Sequence, residues 1–372
     1  MPVIFKYFKI RLLMIFICSF TANFSLSQTY IQPKLAHRLI DSEIKKIIFN
    51  QIEDMPENAQ LSMAFIKNDS IFYLGYIKQN KQLIVKNNTD SIFEIGSISK
   101  VFTSTLLAHA LVEGKVKKEA SINKYLPFKV KNGKKINLLM LSNHSSGLIR
   151  IPNNFTEQNY FDPLNPYANY SEELLIDFLV NDNELLFEPG SKKLYSNLGA
   201  GLLGYTITKV YNKSYENLLQ EKIFKPLEME NSTSILKNIS LNIIKGLETS
   251  GKTTPNWVWD VLSPAGSIFS SVKDMTKFLL ANFNQNEVFD LQKEITYKDV
   301  YNFQAMGWAC VKKEEDIIHW HNGATGGYSS FTFISEKDKI GLIMLSNIEM
   351  DHEKGNHIPD NICGKIIEYL LK

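Results

Sequence analysis

The stretch that most restricts how this chain can fold is Phe93-Glu-Ile-Gly-Ser-Ile-Ser-Lys-Val-Phe-Thr-Ser104. Ser91 to Ile95 alternates and is rich in bulky apolar residues, as a strand would be, and Gly96 lets the chain turn sharply. Behind it Val101, Leu106, Leu107, Ala110 and Leu111 recur at helical spacing until Gly114, a residue suited to ending a helix. Ser97 therefore falls at or near a helix start, where free backbone N–H groups and the helix dipole favour developing negative charge. Lys100 follows at i+3. That spacing puts its amine on the face of the Ser97 hydroxyl, in reach to accept a proton or activate the oxygen.

The pattern Ser-x-x-Lys is not specific, since it begins at Ser42, Ser97, Ser121, Ser234 and Ser270. Ser42 and Ser270 lie in or beside charged helix-like stretches, and Ser121 and Ser234 in polar connections, where capping or a solvated face accounts for them. Only Ser97 has an apolar strand before it and a long apolar helix behind it.

Residues 1–27 read as an export signal peptide. Lys6, Lys9 and Arg11 precede the apolar run Leu12 to Phe20, and Ser25-Leu26-Ser27 offers small residues for cleavage. The expected location is periplasmic or secreted, with no membrane span after cleavage. Against 39 Asp and Glu the chain has 41 Lys and Arg, so nothing in its charge points to nucleic acid. Past the leader only Cys310 and Cys363 remain; export permits a bridge between them, and buried free thiols are the default.

A helix is expected within Pro33 to Asp54, then strands at Leu61 to Lys67, Ile71 to Ile77 and Gln82 to Lys86. Helices are expected at Ser171 to Val180, Leu198 to Tyr211 and Ser214 to Phe224, among long polar loops. Beyond Pro264 come a helix at Thr276 to Asn282, strands at Phe303 to Val311, Ile317 to His321, Ser329 to Ile334 and Ile340 to Ser346, and a closing helix at Asp360 to Leu371. Residues 28–114 with 260–372 are thus expected to form a discontinuous α/β domain, and 115–259 a mainly helical one. Ser97 stands at the junction, where a cleft would lie.

Two more motifs bear on that cleft. Tyr195-Ser-Asn197 follows Phe187-Glu-Pro-Gly190 and precedes the small-residue helix Leu198-Gly-Ala-Gly-Leu-Leu-Gly204. Y-x-N also occurs at Tyr167 and Tyr215, and a buried structural tyrosine is the plain alternative; the chemical reading is a phenol whose phenolate a cation such as Lys100 stabilises. His321-Asn-Gly323 ends a strand and opens a glycine-dense run, where a ligand can approach the backbone closely. His319 and His321 alternate onto one strand face, yet no third residue has the spacing of a metal ligand, so no metal is expected.

In this order, Ser97-x-x-Lys100, Tyr195-x-Asn197 and His321-x-Gly323 resemble the signature of the penicillin-recognising serine hydrolases, in their class C β-lactamase-like branch. Leu138-Leu-Met-Leu-Ser-Asn-His-Ser-Ser-Gly-Leu148, Phe187 to Gly190, and Pro264-Ala-Gly266 followed by Ser270 to Met275 are similar to that family too. The resemblance implies a β-lactamase/transpeptidase-like fold, an antiparallel sheet flanked by helices plus a helical domain. It implies Ser97 as acyl-accepting nucleophile, Lys100 and Tyr195 as the proton-handling pair, and Asn197 as a donor to the substrate amide or ester. His321 and Gly323 would line the strand that holds the substrate, and the N–H groups of Ser97 and Ala324 would form the oxyanion hole.

The expected function is an exported serine hydrolase, without cofactor, acting on a small ester, an amide or a D-amino-acid cell-wall peptide. A true class C β-lactamase and a non-catalytic muropeptide- or protein-binding member are the alternatives. His-Asn-Gly stands where dedicated class C enzymes have Lys-Thr-Gly, as in the DD-peptidases and esterases of the family. An imidazole gaining charge toward pH ~6 would be a weak, pH-dependent anchor for a substrate carboxylate.

Overall fold

The computed structural model describes residues 29–31, 42–51, 53–68, 70–239, 242–350 and 358–370; the leader expected at 1–27 lies outside them. Its framework is one sheet assembled from both ends of the chain. The strands are β1 (Thr29–Ile31), β2 (Gln60–Lys67), β3 (Ser70–Gln79), β4 (Gln82–Val85), β7 (Tyr297–Lys298), β8 (Phe303–Gln304), β9 (Ala309–Lys313), β10 (Asp316–Ala324), β11 (Ser329–Ser335) and β12 (Ile340–Ser346). They run in the order β1-β3-β2-β12-β11-β10-β9-β8-β7, with β4 beside β3. All of these pairings are antiparallel except that of β1 with β3. A separate two-stranded ribbon joins β5 (Ile92–Glu94) to β6 (Phe269–Ser271).

Helices cover both faces of the sheet. Helix α1 (Ser42–Phe49) and helix α9 (Ile358–Leu370) bury Ile44, Ile48, Ile362 and Ile366 against Phe331, Phe333 and Leu342. On the other face lies α2 (Ser99–Val112), buried over nearly its whole surface. A helix so enclosed must satisfy its own polar groups. Thr103 Oγ1 donates to the carbonyls of Ser99 (3.1 Å) and Pro264 (2.7 Å), and Thr105 Oγ1 donates to that of Val101 (3.0 Å).

Between residues 115 and 259 the regular elements are α3 (Leu138–Ser142), α4 (Glu172–Asp177), α5 (Asn197–Tyr211) and α6 (Tyr215–Leu219), joined by single helical turns and loops. Ser171, Ser196 and Ser214 cap α4, α5 and α6 by accepting backbone N–H bonds. Helices α7 (Val272–Ala281) and α8 (Glu287–Lys293) follow β6.

Several elements depart from the sequence expectation. The expected strand Phe303 to Val311 is broken into β8 and β9 by a turn at Gly307, whose φ is +75°. Helix α7 starts at Val272, earlier than Thr276, because Ser271 caps it by accepting from Asp274 N–H. The helical stretches from Ser171 and Ser214 finish in widened turns at 178–182 and 220–224. Cys310 and Cys363 are free, buried thiols in different hydrophobic clusters.

Candidate active site

The turn Gly96–Ile98 between β5 and α2 carries Ser97, and its shape requires glycine on both sides of a close contact. Gly96 has φ +50°, and a Cβ there would sit 2.6 Å from the Ala324 nitrogen and 2.8 Å from its oxygen. A Cβ on Gly323 would fall 2.1 Å from the Ile95 oxygen and 3.0 Å from the Ser97 nitrogen. The nucleophile turn is thereby seated directly on β10, and Ser330 Oγ ties it there by donating to the Ile95 carbonyl (2.9 Å).

The ladder decides which groups of β10 face this turn. Thr325 N–H donates to the Tyr328 carbonyl (3.0 Å), and antiparallel pairs alternate in direction. The N–H groups of Asn322 and Ala324 therefore point away from β11. Strand β9 pairs with β10 only as far as Trp320, so this edge beyond Trp320 has no neighbouring strand. The backbone nitrogens of Ser97 and Ala324 therefore lie close together across this contact.

Lys100 Nζ donates to Ser97 Oγ (3.0 Å) and to the Ala265 carbonyl (2.6 Å), and Tyr195 Oη donates to Ser97 Oγ (2.7 Å). Burial holds the Lys100 pKa well below the ordinary lysine value, and the charge of Arg150 adds to the effect. Burial pushes the Tyr195 phenol above its ordinary value, outweighing the opposing hydrogen bond to Ser97 and the charge of Arg150. These directions reverse the expectation of a phenolate beside an ammonium. Burial works against the charged form of both groups, the ammonium of Lys100 and the phenolate of Tyr195.

His144 is a partner of Tyr195 to which the sequence assigned no role, although it lies in the stretch Leu138 to Leu148. Its ring is 4.5 Å from that of Tyr195, and its Nδ1 accepts the Ser196 N–H (3.2 Å). Burial, then the neighbouring Lys100, depresses its pKa well below the usual range. Arg150 was also unassigned. Its carbonyl accepts the Asn197 and Leu198 N–H groups at the start of α5 (2.9 and 3.1 Å), and its guanidinium lies over the Tyr195 ring at 5.0 Å.

The Asn197 amide is already partly engaged, unlike the free donor the sequence suggested. Its Nδ2 donates to Tyr167 Oη (2.8 Å), and its buried Oδ1 is the atom without a partner among the described residues. His321 differs as well. Its Nδ1 bonds the Asn322 carbonyl (2.6 Å), and burial, with Lys100 nearby, lowers its pKa to about 3. The imidazole is neutral at pH 6, which removes the pH-dependent anchor the sequence suggested. His319, the other histidine on that strand face, bonds the Lys293 carbonyl (2.9 Å).

Ser97, Tyr195, Asn197 and Asn322 to Thr325 open on a cavity of about 310 Å³, walled by Tyr167, Trp257 and Trp259. A larger groove of about 450 Å³ runs between Glu172, Lys209 and Asp260. Its serines Ser214 and Ser263 are occupied in capping α6 and in bonding Ser267 (2.7 Å), so size does not mark the reactive site.

Ser97 Oγ is thus bonded by both Lys100 and Tyr195 with the backbone nitrogens of Ser97 and Ala324 close by, an arrangement that suits nucleophilic acyl transfer. The chain belongs to the beta-lactamase family, whose model matches residues 50–362. It is 26% identical over 310 residues to Protein flp of Staphylococcus aureus strain MW2, an alignment covering 78% of this chain and 60% of flp. This chain therefore spans about three fifths of that relative. It is 24% identical over 354 residues to a beta-lactamase of Pseudomonas fluorescens, covering 82% of this chain and 94% of that one. Its fold matches a beta-lactamase/D-alanine carboxypeptidase from Pseudomonas syringae (TM-score 0.73, 18% identity, 89% of this chain and 99% of that one). It also matches a class C beta-lactamase from Rhodobacter sphaeroides (TM-score 0.72, 19% identity, 89% and 100% covered).

Proposed function

We propose that this protein is an exported serine hydrolase that acts through an acyl-enzyme at Ser97 on an ester, an amide or a D-amino-acid peptide. The observation that carries the reading is the buried Lys100 amine, its pKa lowered by burial, within 3.0 Å of the Ser97 hydroxyl, itself bonded by Tyr195. Lys100 keeps one N–H on the Ala265 carbonyl and turns its lone pair to Ser97, taking the hydroxyl proton as Oγ attacks the substrate carbonyl carbon. The oxyanion is met by the N–H groups of Ser97 and Ala324. Collapse breaks the bond to the leaving group, which takes a proton from Tyr195; Lys100 returns its proton to the phenolate, leaving an ester on Ser97. Water then attacks that ester, releases the acid and restores the serine.

The beta-lactamase reading is favoured by the name of the Pseudomonas fluorescens relative and weakened by His321, whose neutral imidazole offers no charge-assisted bond to a β-lactam carboxylate. A non-catalytic binding role would not call for Lys100 and Tyr195 both hydrogen-bonded to Ser97 Oγ. Export rests on the leader pattern of residues 1–27, and amino-terminal sequencing of the secreted protein tests it. A panel of short-chain esters, D-Ala-D-Ala peptides and cephalosporins, run beside Ser97→Ala, tests the activity. Ester or peptide turnover exceeding cephalosporin turnover by tenfold or more supports the proposal; turnover unchanged by Ser97→Ala contradicts it.

A further inference from the structure

The cavity at Ser97 holds one charged side chain among the described residues that line it, Arg150. Its guanidinium has no ion pair with any described acidic residue; the ring of Tyr195 is the group it covers. The walls beside it are aromatic: Tyr167 and Trp259 stack with ring centroids 3.8 Å apart, and Trp257 lies 5.6 Å from Tyr167. A cation without an acid, at the mouth of an aromatic-walled cavity that holds the nucleophile, is the one charged contact the cavity offers an incoming anion among the described residues.

We infer that Arg150 selects acyl donors carrying a carboxylate on the acyl side, with the scissile carbonyl at Ser97 and the anion against the guanidinium. This rests on the acyl-transfer reading and names its substrate class. Arg150 sits on the Tyr167 and Asn197 side of the cavity. Arginine suits the task, since its planar fork pairs with both oxygens of a carboxylate. The guanidinium is exposed at the cavity mouth, so solvent moderates the gain, and a preference of about tenfold is expected from one charge-assisted contact.

The test compares 4-nitrophenyl esters of adipic acid and of its monoamide, which match in shape and differ in charge. The readout is the ratio of their kcat/KM values within each variant, which cancels effects of Arg150 on Lys100 common to both substrates. Wild type should favour the anionic ester by about tenfold, Arg150→Gln should bring the ratio near one, Arg150→Lys should retain part of it, and Arg150→Glu should invert it. The backbone carbonyl that holds α5 survives all three substitutions. A ratio unaffected by Arg150→Gln overturns the inference while leaving the hydrolase reading intact. Absence of turnover of both esters counts against the hydrolase reading. Tryptophan fluorescence titration of Ser97→Ala with monomethyl adipate and its carboxamide analogue then decides the role of Arg150: preferential binding of the anion, lost in Arg150→Gln, supports it, and equal binding overturns it.

Discussion

Replacing Gly96 with alanine tests whether the seat of the nucleophile turn on β10 sets the catalytic geometry. Two costs separate cleanly. The first is conformational, since alanine at φ +50° sits in the left-handed region at a cost of about 1–2 kcal/mol. The second is the contact of the new Cβ with the Ala324 nitrogen at 2.6 Å; reaching the 3.4 Å of ordinary packing moves one backbone by about 0.8 Å. That movement falls between the two N–H groups meant for the oxyanion, and misplacement of about 1 Å costs around 100-fold in rate. Gly114 is the control, because its φ of +68° imposes the same conformational cost while a Cβ there meets nothing within 4 Å. Gly114→Ala should lower the melting temperature by no more than a few degrees and leave kcat/KM on an ester near wild type. Gly96→Ala should melt lower still and lose about 100-fold in kcat/KM. Thermal melts and ester kinetics on both variants suffice, and equal behaviour of the two would refute the reasoning.

Lys100→Ala, Tyr195→Phe and the double variant should show strongly non-additive losses in log kcat, since both groups bond the same oxygen; strict additivity would separate their roles. With His321 neutral down to about pH 3, the ratio of cephalosporin to neutral-ester turnover should stay flat between pH 8 and 6, whereas a tenfold rise toward pH 6 would show that the imidazole gains charge after all. Glu94, buried beneath the cavity wall, accepts from Asn256 Nδ2 (2.8 Å) and Trp257 N–H (3.0 Å), and burial raises its pKa from 4.5 to about 7. Its folded value exceeds its unfolded one, so its contribution is full below pH 4.5 and lost as pH rises through about 7, on the order of 3 kcal/mol. Glu94→Gln should therefore gain stability relative to wild type between pH 5 and pH 8 in urea melts; a constant difference across that range contradicts the assignment.

Legibility followed distance along the chain. The strands β2, β3, β11 and β12 were readable because dense apolar, β-branched sequence between turn residues is a local signal, and α5 because its small-residue helix begins beside a capping serine. The break at Gly307 was not, since a Cβ there would meet Ser104 and Lys100 of α2, a contact made across the fold. Helix α8 hid in a polar stretch whose N-terminus depends on Asn286 accepting two backbone N–H bonds. Within the site, Ser97, Lys100, Tyr195 and His321 were found through spacing and motif order. Arg150, Trp257 and Trp259 carry no local signature, and they enter the cavity only because the loops holding them close over it. The pKa shifts were equally out of reach, because burial sets their direction: it lowers Lys100 and His321 and raises Tyr195.

The central claim is that Ser97 accepts an acyl group, and covalent trapping measures it most directly. Incubation with a fluorophosphonate, followed by intact-mass spectrometry and peptide mapping, should add one probe per chain, on the peptide containing Ser97, with none on Ser97→Ala. Three of the other Ser-x-x-Lys serines have structural partners instead: Ser121 Oγ donates to the Gly133 carbonyl at 3.3 Å, Ser270 Oγ bonds Ser232 Oγ at 2.8 Å, and Ser234 Oγ donates to Glu216 at 2.7 Å. A stoichiometric adduct on any of them, or labelling that persists in Ser97→Ala, would contradict the account.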